Sequence, residues 1–335
     1  MRCIFFKWLM AFLAVSIFVV GCRKGPEVNQ VNVEFKLVPF YMDLHSIPLD
    51  SVAEYVPRLQ QKYGSFLDAY SEGVIHVGAI NAPGYADYLK SFIEYAPNRD
   101  VFDTCKIRYA NTDDLYRDIK TAFQHYRFYF NEAQIPDVYM HISGFNQSMV
   151  VDSGIVAVSI EKYLGADCQF YEWLSFPLYL RKKMMPEKIV PDIMKAIAMT
   201  EFPLNDSVND VVNHVIYQGK LAYFVRQMVP EIHDSLLFDY SEKELDWCRS
   251  NEAQMWATLV ENKHLFNTEQ LVIQKYTGDA PFTAYFGQNS PGHAGVFLGY
   301  RLVEAYMKNN EGLTLKDLMT QNDSRFILSK SGYRP

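Results

Sequence analysis

His214 and Gln218 stand four residues apart in the frame His-Val-Ile-Tyr-Gln, so on a helix they would share one face. A helical zinc-hydrolase site uses H-E-x-x-H, with two imidazoles on the metal and a glutamate beside the first as base. Here Val215 stands where that glutamate would be, and Gln218 stands at the second ligand position. A neutral amide binds zinc poorly, and valine neither takes nor gives a proton. The frame keeps the spacing of a metal site and none of its chemistry.

The rest of the chemical inventory is thin. No serine sits in a G-x-S-x-G elbow, and no P-loop or G-x-G-x-x-G is present. The 8 histidines include no H-x-x-x-H or H-x-H pair. A metal site would need distant ligands such as His141, His214, Glu252 and His293; otherwise these are separate hydrogen-bonded or surface groups. Glu252 and Glu304 would suit general acid–base chemistry as a buried pair, and salt bridges elsewhere. Ser290-Pro-Gly-His-Ala-Gly295, followed by Gly299, carries a strong conformational signal. Gly292 would permit a turn that other residues resist. Gly295 and Gly299 share a helical face on which another helix could approach closely, or a ligand could lie over the helix start beside His293. The expected catalytic, metal and cofactor sets are therefore empty.

The element that must position these groups is the stretch 205–230. Val208, Val211, Val212, Val215, Gly219 and Tyr223 recur at three- and four-residue spacing, and Pro230 ends the run. Asp206 or Ser207 would cap its start. Ile216, Leu221 and Phe224 widen the apolar face, which makes this helix central. Further helices are expected from 52 through 63, near 65–74 and 84–95, over 113–131 and over 187–199. A capping box at Ser241–Glu244 opens another, running to about 262, and 296–309, 314–320 and 323–329 close the chain. Alternation predicts strands at 31–37, 137–142 and 154–160, with 39–48 and 277–295 as loops and 164–181 irregular. In that irregular stretch Tyr171, Trp173, Phe176 and Tyr179 would form a protein- or glycan-facing patch if exposed. The fold class is α+β: a predominantly helical single domain with a small sheet. The soft points at 97–112 and 131–136 do not divide it.

The chain has 335 residues and opens with Arg2 and Lys7 around an apolar run that ends Val19-Val20-Gly21-Cys22. A basic flank, a run marginal for a membrane span and a small residue before cysteine read as an export signal over 1–21. Cleavage would leave Cys22 lipidated, 22–30 as a short tether and 31–335 as the globular domain. With 49% apolar residues, 23 Tyr and 23 Phe, the domain can build a large core. A formal net charge of -7 and the lack of a basic cluster exclude nucleic acid as a partner. Cys105, Cys168 and Cys248 match no metal or redox motif and read as small hydrophobes, with any disulfide left open.

Several segments resemble the gliding-motility-associated lipoprotein GldB family of the Bacteroidota. They are the signal ending at Cys22, Glu161-Lys-Tyr-Leu-Gly165, IYQGKLAYF at 216–224, Asn251-Glu252-Ala-Gln-Met-Trp256, Ala280-Pro281, PGHAGVFLGYRLVEAYMKNN at 291–310, and the tail from Ile327 to Pro335. The resemblance implies a zincin-like domain, a relic of zinc peptidase-like folds that lacks the H-E-x-x-H motif. It would place Gln218-Gly219-Lys220-Leu221-Ala222 where those peptidases carry Glu-Gly, with 195–202 near the missing helix. His214, Gln218, Glu252 and His293 are then candidates for a vestigial cleft. The chain departs from the family pattern at Val158-Ser-Ile-Glu161, commonly Ile-Gly-Leu-Asp, and at His293, where P-G-R-x-G is usual. Those changes put in doubt charge-dependent contacts at 161 and 293.

The implied role is a non-catalytic envelope lipoprotein that supports a gliding-motility or type IX secretion complex. Its expected partners are the lipid membrane through Cys22 and other envelope lipoproteins or secretion and motility proteins. Arg23 lacks the aspartate signal for inner-membrane retention, which favours the outer membrane, facing the periplasm. The alternatives are a periplasmic peptide- or glycan-binding module and a hydrolase with an unrecognised site.

Overall fold

A computed structural model describes residues 26–335; the expected signal segment and Cys22 lie outside the described residues. Its centre is a four-stranded sheet in the order β1 (Leu37–Val38), β2 (Asp137–His141), β4 (Ile155–Ser159), β3 (Met149–Asp152). β1 and β4 both run parallel to β2, whereas β3 pairs antiparallel with β4. Period-2 alternation sends side chains to two different cores. Val138, Met140, Val156 and Val158 face the larger one, while Ala157 and Tyr139 belong to the other.

The smaller core lies under α1 (Phe40–His45), α2 (Val52–Tyr63), α3 (Ser65–Ala69) and α4 (Tyr85–Glu94). Phe40 meets Tyr63, Phe66 and Tyr70 edge to face, and Phe66 stacks on Tyr139 of the sheet at 4.2 Å. On the other side α5 (Ala96–Arg108) and α6 (Asp113–Tyr129) join the larger core through Val101, Cys105, Ile119, Phe123 and Tyr126. After the sheet come α7 (Gln169–Trp173), α8 (Leu178–Arg181), α9 (Ile189–Glu201) and α10 (Val211–Met228). The chain finishes with α11 (Asp234–Phe238), α12 (Glu242–Ser250), α13 (Glu252–Glu261), α14 (Gln270–Thr277), α15 (Ala294–Asn309), α16 (Leu315–Thr320) and α17 (Ser324–Ser331). It is a predominantly helical single domain with a small open sheet.

α10 is the central helix that its spacing predicts, buried on nearly every side from Val211 to Met228. Its start is three or four residues later than expected, because Asp210, not Asp206 or Ser207, accepts from Asn213 N at 2.9 Å. Val208 is consequently exposed and outside the helix. The capping box at Ser241 and Glu244 is present as expected.

Other departures have local causes. Residues 31–36 are extended but belong to no strand; Val33 and Phe35 alternate inward because they pack on the core, with Phe35 stacked 4.7 Å from Tyr116. The expected loop 39–48 contains α1, whose six residues are too few for a helical period to stand out. α5 crosses the supposed soft point at 97–112: its apolar residues are sparse, yet Val101 and Cys105 are buried. β3 escaped notice because three of its four residues are half-buried, Asp152 is exposed, and no alternation results. The stretch 164–181 holds the two short helices α7 and α8.

Candidate functional site: a buried charge cluster under the central helix

α10 and α15 cross with almost no side chain between them. A methyl group on Gly299 would stand 1.9 Å from Val215 O, and one on Gly219 would stand 2.2 Å from Gly299 C. Gly295 presses in the same way on Tyr276 O, at 2.7 Å. Gly292 serves close approach rather than the expected turn, since its added methyl would lie 2.0 Å from Ala280 O. The left-handed residue there is His293, with φ 43°.

Where α10 turns toward α9, Gln218 meets charge. It lines a cavity of about 30 Å³ with Lys188, Asp192, Lys195 and Asp239, closed by Ala222, Val225, Leu237 and Val296. Lys188, Asp192 and Lys195 come together because four- and three-residue steps put them on one face of α9. Asp239 arrives from the left-handed residue that ends α11, φ 61°. Lys188 Nζ lies 2.7 Å from Asp239 Oδ1 and 3.5 Å from Asp192, and donates to Leu236 O at 2.8 Å. Tyr163 OH donates to Asp192 at 3.0 Å. Lys183 extends the chain of charges, 3.9 Å from Asp239 and paired with Asp279. His293 completes it, with Nδ1 3.4 Å from Asp279 and Nε2 3.0 Å from Phe238 O, its ring stacked on Tyr240.

The electrostatics follow from this geometry. Burial works against the Lys188 ammonium, but Asp192 and Asp239 outweigh it and raise its pKa. Burial likewise opposes ionisation of Asp239, and the lysines around it hold its carboxyl below the usual range. His293, whose Nδ1 lies 3.4 Å away, and Lys183 together keep Asp279 well below that range. Lys195 is the exception: desolvation pulls its pKa down, and Asp239 restores only part. Cations and anions are thus matched over most of the cluster, and the cavity holds about one water molecule's worth of space.

The other residues singled out in the sequence lie in different surroundings. His214 bonds Asn209 Oδ1 at 2.7 Å beside the start of α10. Glu252 accepts from Arg301 Nε at 3.1 and 3.2 Å and from Tyr333 OH at 2.8 Å, and Arg301 also grips Glu304. Glu252 and Glu304 therefore share one guanidinium, which ties α13 to α15 through charge-assisted hydrogen bonds. His141 is fully buried at the end of β2, where desolvation lowers its pKa to about 3. Glu161 is also fully buried and accepts from Ser143 N and Oγ, both at 2.7 Å, and from Phe145 N at 3.1 Å. Cys105 and Cys248 are buried and Cys168 half-buried, all three as free thiols. Among the described residues no three His, Cys, Asp or Glu side chains converge to hold a metal, and no helix is long and apolar enough to cross a membrane.

Lys188, Asp192, Asp239 and Asp279 were missed in the sequence, and Lys195 entered only as the start of 195–202. One signal was there: a lysine, an aspartate and a lysine spaced by four and three on an otherwise apolar helix.

The family model described as gliding motility protein GldB matches residues 21–335. The chain belongs to this family. No curated protein and no solved structure matches it. Membership ties the protein to gliding motility and to a non-catalytic role as an envelope lipoprotein. The charge cluster and the glycine seam both lie within the matched span.

Proposed function

We propose that the protein is a lipid-anchored scaffold that stabilises a gliding-motility or type IX secretion complex at the outer membrane, on its periplasmic face. Residues 1–21 direct export, Cys22 carries the lipid, 22–30 form the tether and 31–335 the folded body. The body is a degenerate zinc-peptidase-like domain in which Gln218 stands at the remnant of the site. One observation favours the scaffold over an enzyme or a binding module centred on Gln218: the space beside that residue is about 30 Å³ and its rim is locked by Lys188, Asp192 and Asp239. A peptide or glycan needs a pocket at least ten times larger, on the order of 300 Å³. The adjacency of Lys195 on α9 and Gln218 on α10 around that space supports the relic reading. His214, Glu252 and His293 serve as structural groups of the same body.

The test is a crosslinking pull-down from native envelopes with the wild type, Gln218→Ala and Cys22→Ala, with metal analysis of the purified protein. The scaffold reading expects secretion or motility lipoproteins with wild type and Gln218→Ala alike. It also expects the Cys22→Ala protein to leave the membrane fraction and lose those partners. Stoichiometric zinc without a stable partner would overturn it.

A further inference from the structure

Between Gly165 and Met184 the chain leaves the body as a hairpin, closed at its base where Gly165 N donates to Met184 O at 2.9 Å. Its root is firm: Tyr171 is fully buried, donates to Glu161 O at 2.8 Å and accepts from Leu164 N at 2.9 Å. The tip is different. Around the left-handed Ser175 (φ 57°), Trp173, Leu174 and Leu178 are 63%, 52% and 78% exposed. The Trp173 ring is held rather than loose, with its centroid 5.6 Å from that of Phe170 in an edge contact. Three large apolar side chains within six residues, presented on a braced support, need a cover.

The path of the chain indicates what that cover is. Pro26 shares one groove with Tyr109, Pro186 and Glu187, and Pro186 follows the hairpin base by two residues. Cys22 precedes Pro26 by four positions, a reach of at most about 14 Å even when extended. A lipid on Cys22 therefore holds Pro26, and with it one end of the groove that Pro186 lines just after the hairpin, close to the headgroup level. Tryptophan with leucine is the composition that settles at that level, its ring spanning the polar boundary and the aliphatic chains entering the acyl edge. We propose that Trp173, Leu174 and Leu178 insert into the bilayer interface as a second membrane contact, fixing the orientation of the body beside its lipid anchor. The inference rests on the lipid-anchor reading above. The attraction is chiefly apolar, because Lys182 is committed to Glu244 at 2.9 Å, Lys183 to Asp279, and Arg181 turns its Nε back to Phe176 O at 2.6 Å. It should therefore resist salt.

The experiment uses the mature full-chain lipoprotein in vesicles of phosphatidylethanolamine and phosphatidylglycerol with brominated acyl chains. Flotation is scored first and tryptophan quenching second. After removal of residues 1–21 the tryptophans are Trp173, Trp247 and Trp256. The expected result is a quenched component present in wild type, W247F and W256F, abolished in W173F and unchanged at high salt. Leu174→Ser with Leu178→Ser should reduce it while leaving flotation intact. Protein that floats but shows equal quenching in W173F overturns the insertion. So does protein that floats unquenched while Trp173 becomes shielded only in native envelopes, because another protein would then be the cover. Failure of wild type to float would remove the anchor reading itself, and the second contact with it.

Discussion

The glycine seam between α10 and α15 and the charge cluster between α9 and α10 share a helix and obey opposite rules. The seam holds because side chains are missing, and backbone sets the distance directly: Gly299 leaves no room for a methyl beside Val215 O, at 1.9 Å. The cluster holds because side chains are present and match in charge, Lys188 being shared between Asp192 and Asp239. A close-packed backbone contact has no alternative arrangement, whereas a matched charge set can be rematched. Packing should therefore tolerate no single change at the seam, and charge should tolerate paired changes in the cluster.

The largest effect is expected at the seam. Gly299→Ala must displace backbone rather than a flexible side-chain end, so a loss of about 4 kcal/mol or more is expected. Urea unfolding of the purified variant measures it, and a midpoint near that of wild type would show that the helices can separate without cost. The cluster comes next. Lys188→Met leaves Asp192 and Asp239, 29% and 16% exposed, without their nearest cation, a cost of about 3 kcal/mol. Adding Asp239→Asn should return a substantial part of that loss. If the double variant is no better than the sum of its singles, the cluster is not a matched charge set.

These two regions were not equally legible in the sequence. The seam announced itself, since Gly295 and Gly299 are four apart and Gly219 falls on the periodic apolar face of its helix. α10, α6 and the Ser241–Glu244 box were readable for the same reason, that their information is local in sequence. The cluster was not, because its pairs join distant residues: Lys183 reaches Asp279, 96 positions away. A lysine in sequence has water as its default partner, and only the fold reveals that Lys188 is buried. The same reasoning explains 31–36, where packing of Val33 and Phe35 wrote an alternation that no strand partner used before Leu37 joins β1. His214, Gln218, Glu252 and His293 were readable as chemically incomplete, but which neighbours complete them is again a non-local property.

A third test asks whether α10 tolerates charge where no counter-charge exists. Lys220 is buried on the same helix and donates to Met319 O and Gln321 O, each at 2.9 Å, with desolvation pushing its pKa down to about 8. In the unfolded chain a lysine keeps its proton to about pH 10.4. Between those values the unfolded state binds the extra proton, so stability should rise with pH through this window, by up to about 3 kcal/mol. Below pH 8 both states carry the charge and this contribution is flat. Lys220→Met should flatten the slope, as followed by denaturant midpoints at pH 7.5, 8.5 and 9.5. An equal slope in both proteins would mean that the carbonyls satisfy the ammonium fully.

The smallest effect isolates burial as the variable. Arg301 bridges Glu252 and Glu304 much as Lys188 bridges Asp192 and Asp239, but Arg301 is 41% exposed along its side chain and Lys188 only 7%. Water already solvates much of the outer set, and mobile ions screen it. Glu304→Gln should therefore cost no more than about 1 kcal/mol, and the cost should shrink further in high salt. The penalty of Lys188→Met should persist in the same salt, because ions cannot follow the charge into the space beneath α10. Equal salt sensitivity in the two variants would show that the inner cluster is open to solvent, and the small closed space beside Gln218 would then be an accessible site.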